Sequence, residues 1–270
     1  MATTTFTPSM LRGAGTRGIP EIPAGASYSN TYSMAYDGSD DYIVSTLDLS
    51  GLNFSISFWI KGTDTTVDTK PICITSTTSA PNTTLGRYYK GKGFMVQTFD
   101  NTGANFNNYY IDYDARDGDW HNIIFTKVHD STLANNKIYA YINGNNYVWT
   151  KWGGASTTPA ITWKPANIAP FITGLYSRNS GAATSYAWEG NLDEIVIKTG
   201  TIWDASDATD IYNSGVPKDM SSYSPTLWWR MGEEATWDGS NWTLTDQGSG
   251  GTNGTSANMV EADRETDVPS

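Results

Sequence analysis

The sequence predicts an all-β protein built as a two-sheet antiparallel sandwich, and three observations carry that prediction. Apolar residues recur with a period of two in short runs, as in Phe54-Ser-Ile-Ser-Phe-Trp-Ile60, whereas a helix needs a period near 3.6. Turn residues separate the runs, and Asp37-Gly38-Ser39 and Asn143-Gly144 are the sharpest hairpin signals. Aromatic residues make up 13% of the 270-residue chain and charged residues only 17%, so its polarity comes from Asn, Gly, Ser and Thr, residues of turns and exposed strand faces. Eleven Trp and sixteen Tyr are far too many for a disordered chain.

In chain order, residues 1–30 read as an arm, because Pro8, Gly13, Gly15, Gly18, Pro20, Pro23 and Gly25 break any regular element. Its larger apolar groups are Phe6, Met10, Leu11, Ile19 and Ile22, accompanied by Arg12 and Arg17. These are too few to build a core. Docking on a larger surface would offset the roughly 1–2 kcal/mol of backbone entropy that each ordered residue costs.

Residues 31–230 are expected to form the sandwich. Strands are predicted over 32–36, 42–44, 54–60, 71–75, 94–99, 109–113, 122–128, 137–142, 147–149, 170–173, 192–197 and 226–230. Phe54, Ile56, Phe58, Ile60, Ile123, Phe125, Ile138, Ile142 and Ile195 should line the inner face, with Ser55, Ser57 and Trp59 opposite. One short helix is predicted, N-capped by Ser206, with Ala208, Ile211 and Tyr212 inward and Gly215 and Pro217 ending it. Residues 231–270 read as an acidic tail rich in Gly, Ser and Thr.

The net charge is −11, and residues 201–270 hold twelve acids against three bases. Such a chain repels phosphate, so nucleic-acid partners are excluded. The longest apolar runs, such as Ile123-Ile124-Phe125, fall far short of the ~18–20 residues of a membrane span. The single Cys73 has no intramolecular partner for a disulfide. The first residues, Met1-Ala-Thr-Thr-Thr-Phe-Thr, lack a basic and then an apolar region, so no secretory signal is expected.

Five motifs resemble the concanavalin A-like, laminin G-like jelly-roll family in the right order. Tyr32-Ser-Met-Ala-Tyr-Asp-Gly-Ser-Asp-Asp-Tyr42 is similar to its opening strand pair, and Phe54-Ser-Ile-Ser-Phe-Trp-Ile-Lys61 to its second signature. Asp117-Gly-Asp-Trp-His-Asn-Ile-Ile-Phe125 and Ile138-Tyr-Ala-Tyr-Ile-Asn-Gly144 resemble a later strand and the hairpin after it. Gly190-Asn-Leu-Asp-Glu-Ile-Val-Ile197 and the helix ending Ile211-Tyr-Asn-Ser-Gly215 resemble its closing strand and helix. The segment around Trp228-Trp-Arg-Met-Gly232 resembles appended segments of such proteins from marine bacteriophages. The resemblance implies a non-catalytic virion surface protein with a lectin-like domain, a capsid decoration or fibre protein made in the host cytoplasm. Its partners would be other capsid or tail proteins, further copies of itself and cell-surface glycans. The alternatives are a tail adhesin, a freestanding carbohydrate-binding module or a glycan hydrolase.

Relatives that hydrolyse glycans carry Glu-x-Asp-x-x-Glu on one strand, with the two acids about 5–5.5 Å apart. The nearest stretch here, Glu189-Gly-Asn-Leu-Asp193-Glu194, has the wrong spacing, and strand alternation would place Asp193 and Glu194 on opposite faces. His121 and His129 lie at the two ends of one strand with no Ser or Cys nucleophile motif, so no catalytic residue is expected. Sugar C–H faces stack on indole rings, and Trp149, Trp152 and Trp163 bracket a loop rich in Gly, Ser and Thr. The resemblance also implies a possible Ca²⁺ cofactor at a sandwich rim, where Asp37, Asp40, Asp41, Asp117 and Asp119 supply oxygens. Asp-Gly turns, in which Asp bonds its own backbone, account for the same residues.

Overall fold

The computed structural model describes residues 28–65, 68–75, 84–89, 92–99, 106–132, 135–153, 157–158, 160–162, 172–174 and 186–270. The arm residues Phe6, Met10, Leu11, Arg12, Arg17, Ile19 and Ile22 lie outside the described residues, as does Trp163.

Twenty strands and one α-helix form among the described residues. The first ten strands are β1 (Ser33–Asp37), β2 (Tyr42–Val44), β3 (Phe54–Lys61), β4 (Ile72–Thr75), β5 (Thr84–Tyr89), β6 (Gly93–Phe99), β7 (Phe106–Tyr110), β8 (His121–Val128), β9 (Lys137–Ile142) and β10 (Asn145–Tyr147). There follow β11 (Trp149–Lys151), β12 (Thr157–Thr158), β13 (Ile161–Thr162), β14 (Ile172–Thr173), β15 (Glu189–Thr199) and helix α1 (Ala205–Tyr212). The chain ends in β16 (Leu227–Trp229), β17 (Met231–Trp237), β18 (Trp242–Leu244), β19 (Gly254–Ala257) and β20 (Arg264–Glu265). One sheet runs β10-β9-β8-β3-β15-β1-β20, with β13 on β9 and β16 on β15. The other runs β12-β11-β7-β6-β5-β4-β14-β2-β19-β18-β17, and every pairing is antiparallel. The molecule is an all-β jelly-roll sandwich.

The main core lies between the sheets. All nine side chains expected on the inner face are buried in it, and Phe94 meets Phe58 and Phe125 edge to face at 6.2 and 5.3 Å. The outer face of β3 is buried as well. Ser57 Oγ accepts from Asn122 Nδ2 (2.9 Å), Ser55 Oγ accepts from the backbone of Trp203 (2.8 Å), and Trp59 stacks on Tyr212 at 5.9 Å. A second, smaller core covers that face, built from Ile124, Val196, Trp203, Ala208, Ile211 and Trp228 among others. Helix α1 therefore seals the back of the first sheet.

Two expectations need correction. The N-cap of α1 is Asp204, not Ser206: its carboxylate accepts from the backbone of Ser206 (2.8 Å) and Asp207 (3.1 Å), and Asp207 returns a bond to the cap. A carboxylate at a helix N-terminus gains from both the free N–H groups and the dipole. Residues 231–270 are no tail. β19 pairs with β2, β18 and β17 extend the second sheet from it, and β20 pairs with β1 in the first sheet. Met231, Trp242, Leu244 and Met259 enter the main core, and β19 itself is the run Gly254-Thr-Ser-Ala257. Gly254 is required by contact: a Cβ there would lie 2.9 Å from the Trp229 ring and 3.0 Å from Ile43.

Candidate functional site

The chain leaves the first sheet at β10 and enters the second at β11, and that crossing decides the fate of two candidate tryptophans. Trp149 faces inward: it is fully buried, stacks on Phe125 at 6.2 Å and donates Nε1–H to the Ile138 carbonyl (3.2 Å). It is a core residue and not a sugar platform, because its strand opens on the inner face. Trp152 lies three residues on, where the strand has ended, and is 41% exposed. Its backbone N–H donates to the Asn108 carbonyl (2.8 Å), its ring meets Tyr110 edge to face at 5.9 Å, and Lys92 Nζ sits 5.2 Å from the Tyr110 ring centre. Trp152 and Tyr110 thus form an aromatic pair at the sandwich edge with a cation beside it.

A groove of about 720 Å³ opens between the β9–β10 turn and α1. The turn is rigid. Asn143 (φ 50°) and Gly144 (φ 74°) both adopt the left-handed region that an Asn-Gly hairpin favours. Asn143 Oδ1 accepts from the backbone of Asn122 (3.0 Å), and its Nδ2 donates to His121 Nδ1 (2.9 Å). The helix packs directly on the turn, for a Cβ on Gly144 would come within 3.2 Å of Thr209 Cα. Thr209 Oγ1 donates to the Gly144 carbonyl (3.2 Å). The sequence marks the turn and the helix separately, and only their long-range contact makes the groove.

The candidate calcium residues separate into two places. Oxygens of Asp37, Asp40 and Asp41 all lie within 4.8 Å of one another. Burial pushes the Asp41 carboxyl up to about 6, with repulsion from Asp37, Asp263 and Asp40 adding to it. An all-carboxylate set of this kind suits a hard divalent cation. The same oxygens also close the turn, since Asp41 Oδ2 accepts from the backbone of Asp37 (2.9 Å) and Asp37 Oδ1 from that of Ser39 (2.7 Å). Asp117 and Asp119 are not part of this cluster. Asp117 Oδ1 accepts from His121 Nε2 (2.9 Å) and from the backbone of Asp119 (3.0 Å), which ties a rim loop to the histidine that anchors Asn143.

A second carboxylate cluster was missed because strand alternation fails there. Between Asp193, opposite Trp59, and Val196, opposite Ser57, β15 carries two residues against one on β3. Glu194 adopts φ 45°, and Leu192 and Ile195 both face the main core, so Asp193 and Glu194 lie together on the outer side. Their oxygens and those of Glu233 fall within 4.8 Å of one another, with Asp193 fully buried and Glu194 3% exposed. Glu194 accepts from Arg230 Nε (3.0 Å) and Trp228 Nε1, and Asp193 from Asn30 Nδ2 (2.7 Å) and the backbone of Glu194 (2.7 Å). Glu233 accepts from the backbone of Thr31 and Tyr32, and Arg230 lies over the Tyr28 ring at 4.6 Å. Burial raises both Asp193 and Glu194; repulsion between them adds for Asp193, and the Arg230 guanidinium only partly opposes it for Glu194.

Fold and geometry define a jelly-roll β-sandwich with an aromatic edge and a polar groove. No protein-family model matches the sequence, and no curated protein matches it. Among solved structures the chain is similar to a candidate carbohydrate-binding protein from Bacteroides ovatus ATCC 8483, at 15% identity and a TM-score of 0.59 over 90% of this chain. It spans 62% of that protein. It is also similar to the CBM40 of Ruminococcus gnavus IT-sialidase bound to α2,3-sialyllactose, at 9% identity and a TM-score of 0.45, covering 68% of this chain and 100% of that one. Mouse laminin α1 domains LG4-5 match at 11% identity and a TM-score of 0.43, over 71% of this chain and 48% of that one. At 15% identity the likeness to the B. ovatus protein shows the fold alone.

Proposed function

We propose that the protein is a non-catalytic carbohydrate-binding β-sandwich that holds glycans against the exposed edge formed by Trp152 and Tyr110. The observation that carries this is the half-exposed Trp152 indole, set edge to face against Tyr110 beside Lys92. Tyr and Trp offer large, rigid contact area at little conformational cost, and a sugar ring presents the C–H face that stacks on it. The likeness in fold to the B. ovatus protein supports the reading and favours a freestanding binding module. Display on a virion surface is the finer part of the proposal, and it rests on arm residues outside the described ones. Calcium, when bound, would be held by Asp37, Asp40 and Asp41 and would supply positive charge to the β1–β2 turn.

The absence of hydrolysis belongs to the same proposal. Asp193 and Glu194 lie beneath Tyr28, Asn30 and Trp228, with intramolecular donors on both carboxyl groups, so substrate has no approach to them. On a printed array of neutral and acidic glycans, the protein should bind and Trp152→Ala should lose at least about tenfold in affinity, the loss of one central aromatic anchor. Its thermal midpoint should stay within a few degrees of the parent, because the side chain is 41% exposed. Binding of every glycan unchanged in Trp152→Ala, or release of reducing ends abolished by Glu194→Gln, would overturn this function.

A further inference from the structure

We propose that the groove between the β9–β10 turn and α1 is a second saccharide site, selective for neutral glycans over acidic ones; the inference rests on the glycan-binding reading above. The groove is lined by the side chains of three Asn, two Ser, one Thr, one Asp and one Tyr together with Gly144, and its volume of about 720 Å³ falls in the usual range of small-molecule sites. Asn145 comes from the turn, and Ser206, Asp210, Asn213 and Ser214 come from the helix and its C-terminal cap. Among the described residues, no intramolecular hydrogen bond engages Ser206 Oγ, Ser214 Oγ, Asp210 Oδ1 or Asn213 Oδ1. Hydroxyls both donate and accept, and amide and carboxylate oxygens accept, so this set matches a polyol that carries donors and acceptors on adjacent carbons. Tyr212 gives the groove an apolar side and is itself held by stacking on Trp59 at 5.9 Å.

Charge sets the selectivity. No Lys or Arg lines the groove, while Asp210 does. Asp210 accepts from Lys218 Nζ (2.8 Å) and Tyr223 Oη (2.6 Å), and these bonds hold its carboxyl below the ordinary carboxylate range. The bonds fall on Oδ2, so Oδ1 of this groove-lining residue remains as an acceptor. The last turn of α1 contains no basic residue, so the carbonyl end of the helix adds partial negative charge at Asn213. A hydroxyl donor is drawn to such a surface, and a sialic or uronic carboxylate is repelled by it.

Asn213 has φ 47°, so Asn213→Gly removes the amide while suiting the backbone, and Ser206→Trp fills the groove from an exposed helical position. The test is a printed glycan array probed with the full chain, Ser206→Trp, Asn213→Gly and Trp152→Ala, each first checked for an unchanged thermal midpoint. The expected result is a group of neutral glycans whose binding falls at least tenfold in Ser206→Trp and Asn213→Gly but persists in Trp152→Ala, with sialylated counterparts bound at least tenfold more weakly. Binding that vanishes in Trp152→Ala but is unchanged in both groove variants would overturn the groove and leave the aromatic edge intact. Acidic glycans bound through the groove as strongly as neutral ones would overturn the charge selection. An array on which the full chain binds nothing would overturn both sites together.

Discussion

A chain ending at Arg230 is expected not to fold. Residues 231–270 place Met231, Trp242, Leu244 and Met259 in the main core, and β19 supplies the partner of β2 through Thr255–Val44, Ser256–Ile43 and Ala257–Tyr42. They also close off residues before the cut, for Trp229 Nε1 donates to the Thr252 carbonyl (2.9 Å) and the backbone of Trp228 to Asp246 Oδ1 (2.8 Å). Truncating a single buried Leu, Met or Trp costs about 2–5 kcal/mol. Losing four at once amounts to about 8–20 kcal/mol, comparable to or larger than the roughly 5–15 kcal/mol of net stability of an ordinary domain. The truncated chain should show no cooperative urea transition and no near-ultraviolet circular dichroism. A cooperative transition at the parent midpoint would restore the status of 231–270 as an appendage.

The second large effect lies at the buried acids. Arg230→Ala leaves Glu194, Asp193 and Glu233 without their guanidinium, and removing one partner of a buried ion pair typically costs about 3–5 kcal/mol. The cost should be greatest at alkaline pH and shrink in acid, where the carboxyls take up protons. The sign follows from linkage. Asp193 and Glu194 are raised in the folded protein, so the fold binds protons more tightly than the unfolded chain. Their contribution is fully present below the ordinary carboxylate values near 4 and is lost as pH rises through the raised folded values. Asp41, pushed up to about 6, acts in the same direction between about 4 and 6.

Asp193→Asn isolates the effect, because an amide keeps the shape without the charge. Asn30 Oδ1, buried and without a hydrogen-bond partner, can turn to accept from the new amide. The variant should therefore gain stability relative to the parent as pH is raised from 5 to 8, measured by urea denaturation at each pH. A stability difference that does not change with pH would contradict the raised carboxyl at Asp193.

What was legible in the sequence was whatever alternation controls. β3 and β9 carry apolar side chains at every second position, as β8 does at Ile123 and Phe125, and every residue assigned to the inner face is buried. Alternation fails where geometry interrupts it. The bulge at Glu194 turns a side chain assigned to the wrong face into half of a buried acid pair. In β5, Gly86 (φ 95°) marks a register shift against β6, and a Cβ there would collide with the Ile72 carbonyl, so Thr84–Tyr89 carries no strand signature. The C-terminal strands are only two to seven residues long, and their few apolar groups, at most three in a strand, disappear among polar and turn residues. Of the candidate site, Trp152 could be read from its loop, and Trp149 could not be told from it, because the crossing at Val148, between β10 and β11, leaves no mark in the sequence of which face Trp149 takes. The groove was invisible because Gly144 and Thr209 stand 65 residues apart.

The central claim, that glycans are held at the aromatic edge, is tested most directly by the indole N–H signals of the ¹⁵N-labelled protein. The glycan whose array signal falls most in Trp152→Ala is titrated in, with the Trp152 resonance assigned from Trp152→Phe. The Trp152 signal should move progressively with added glycan, while those of the buried Trp149 and Trp188 stay in place. A titration in which binding is seen but the Trp152 signal does not shift would contradict the account.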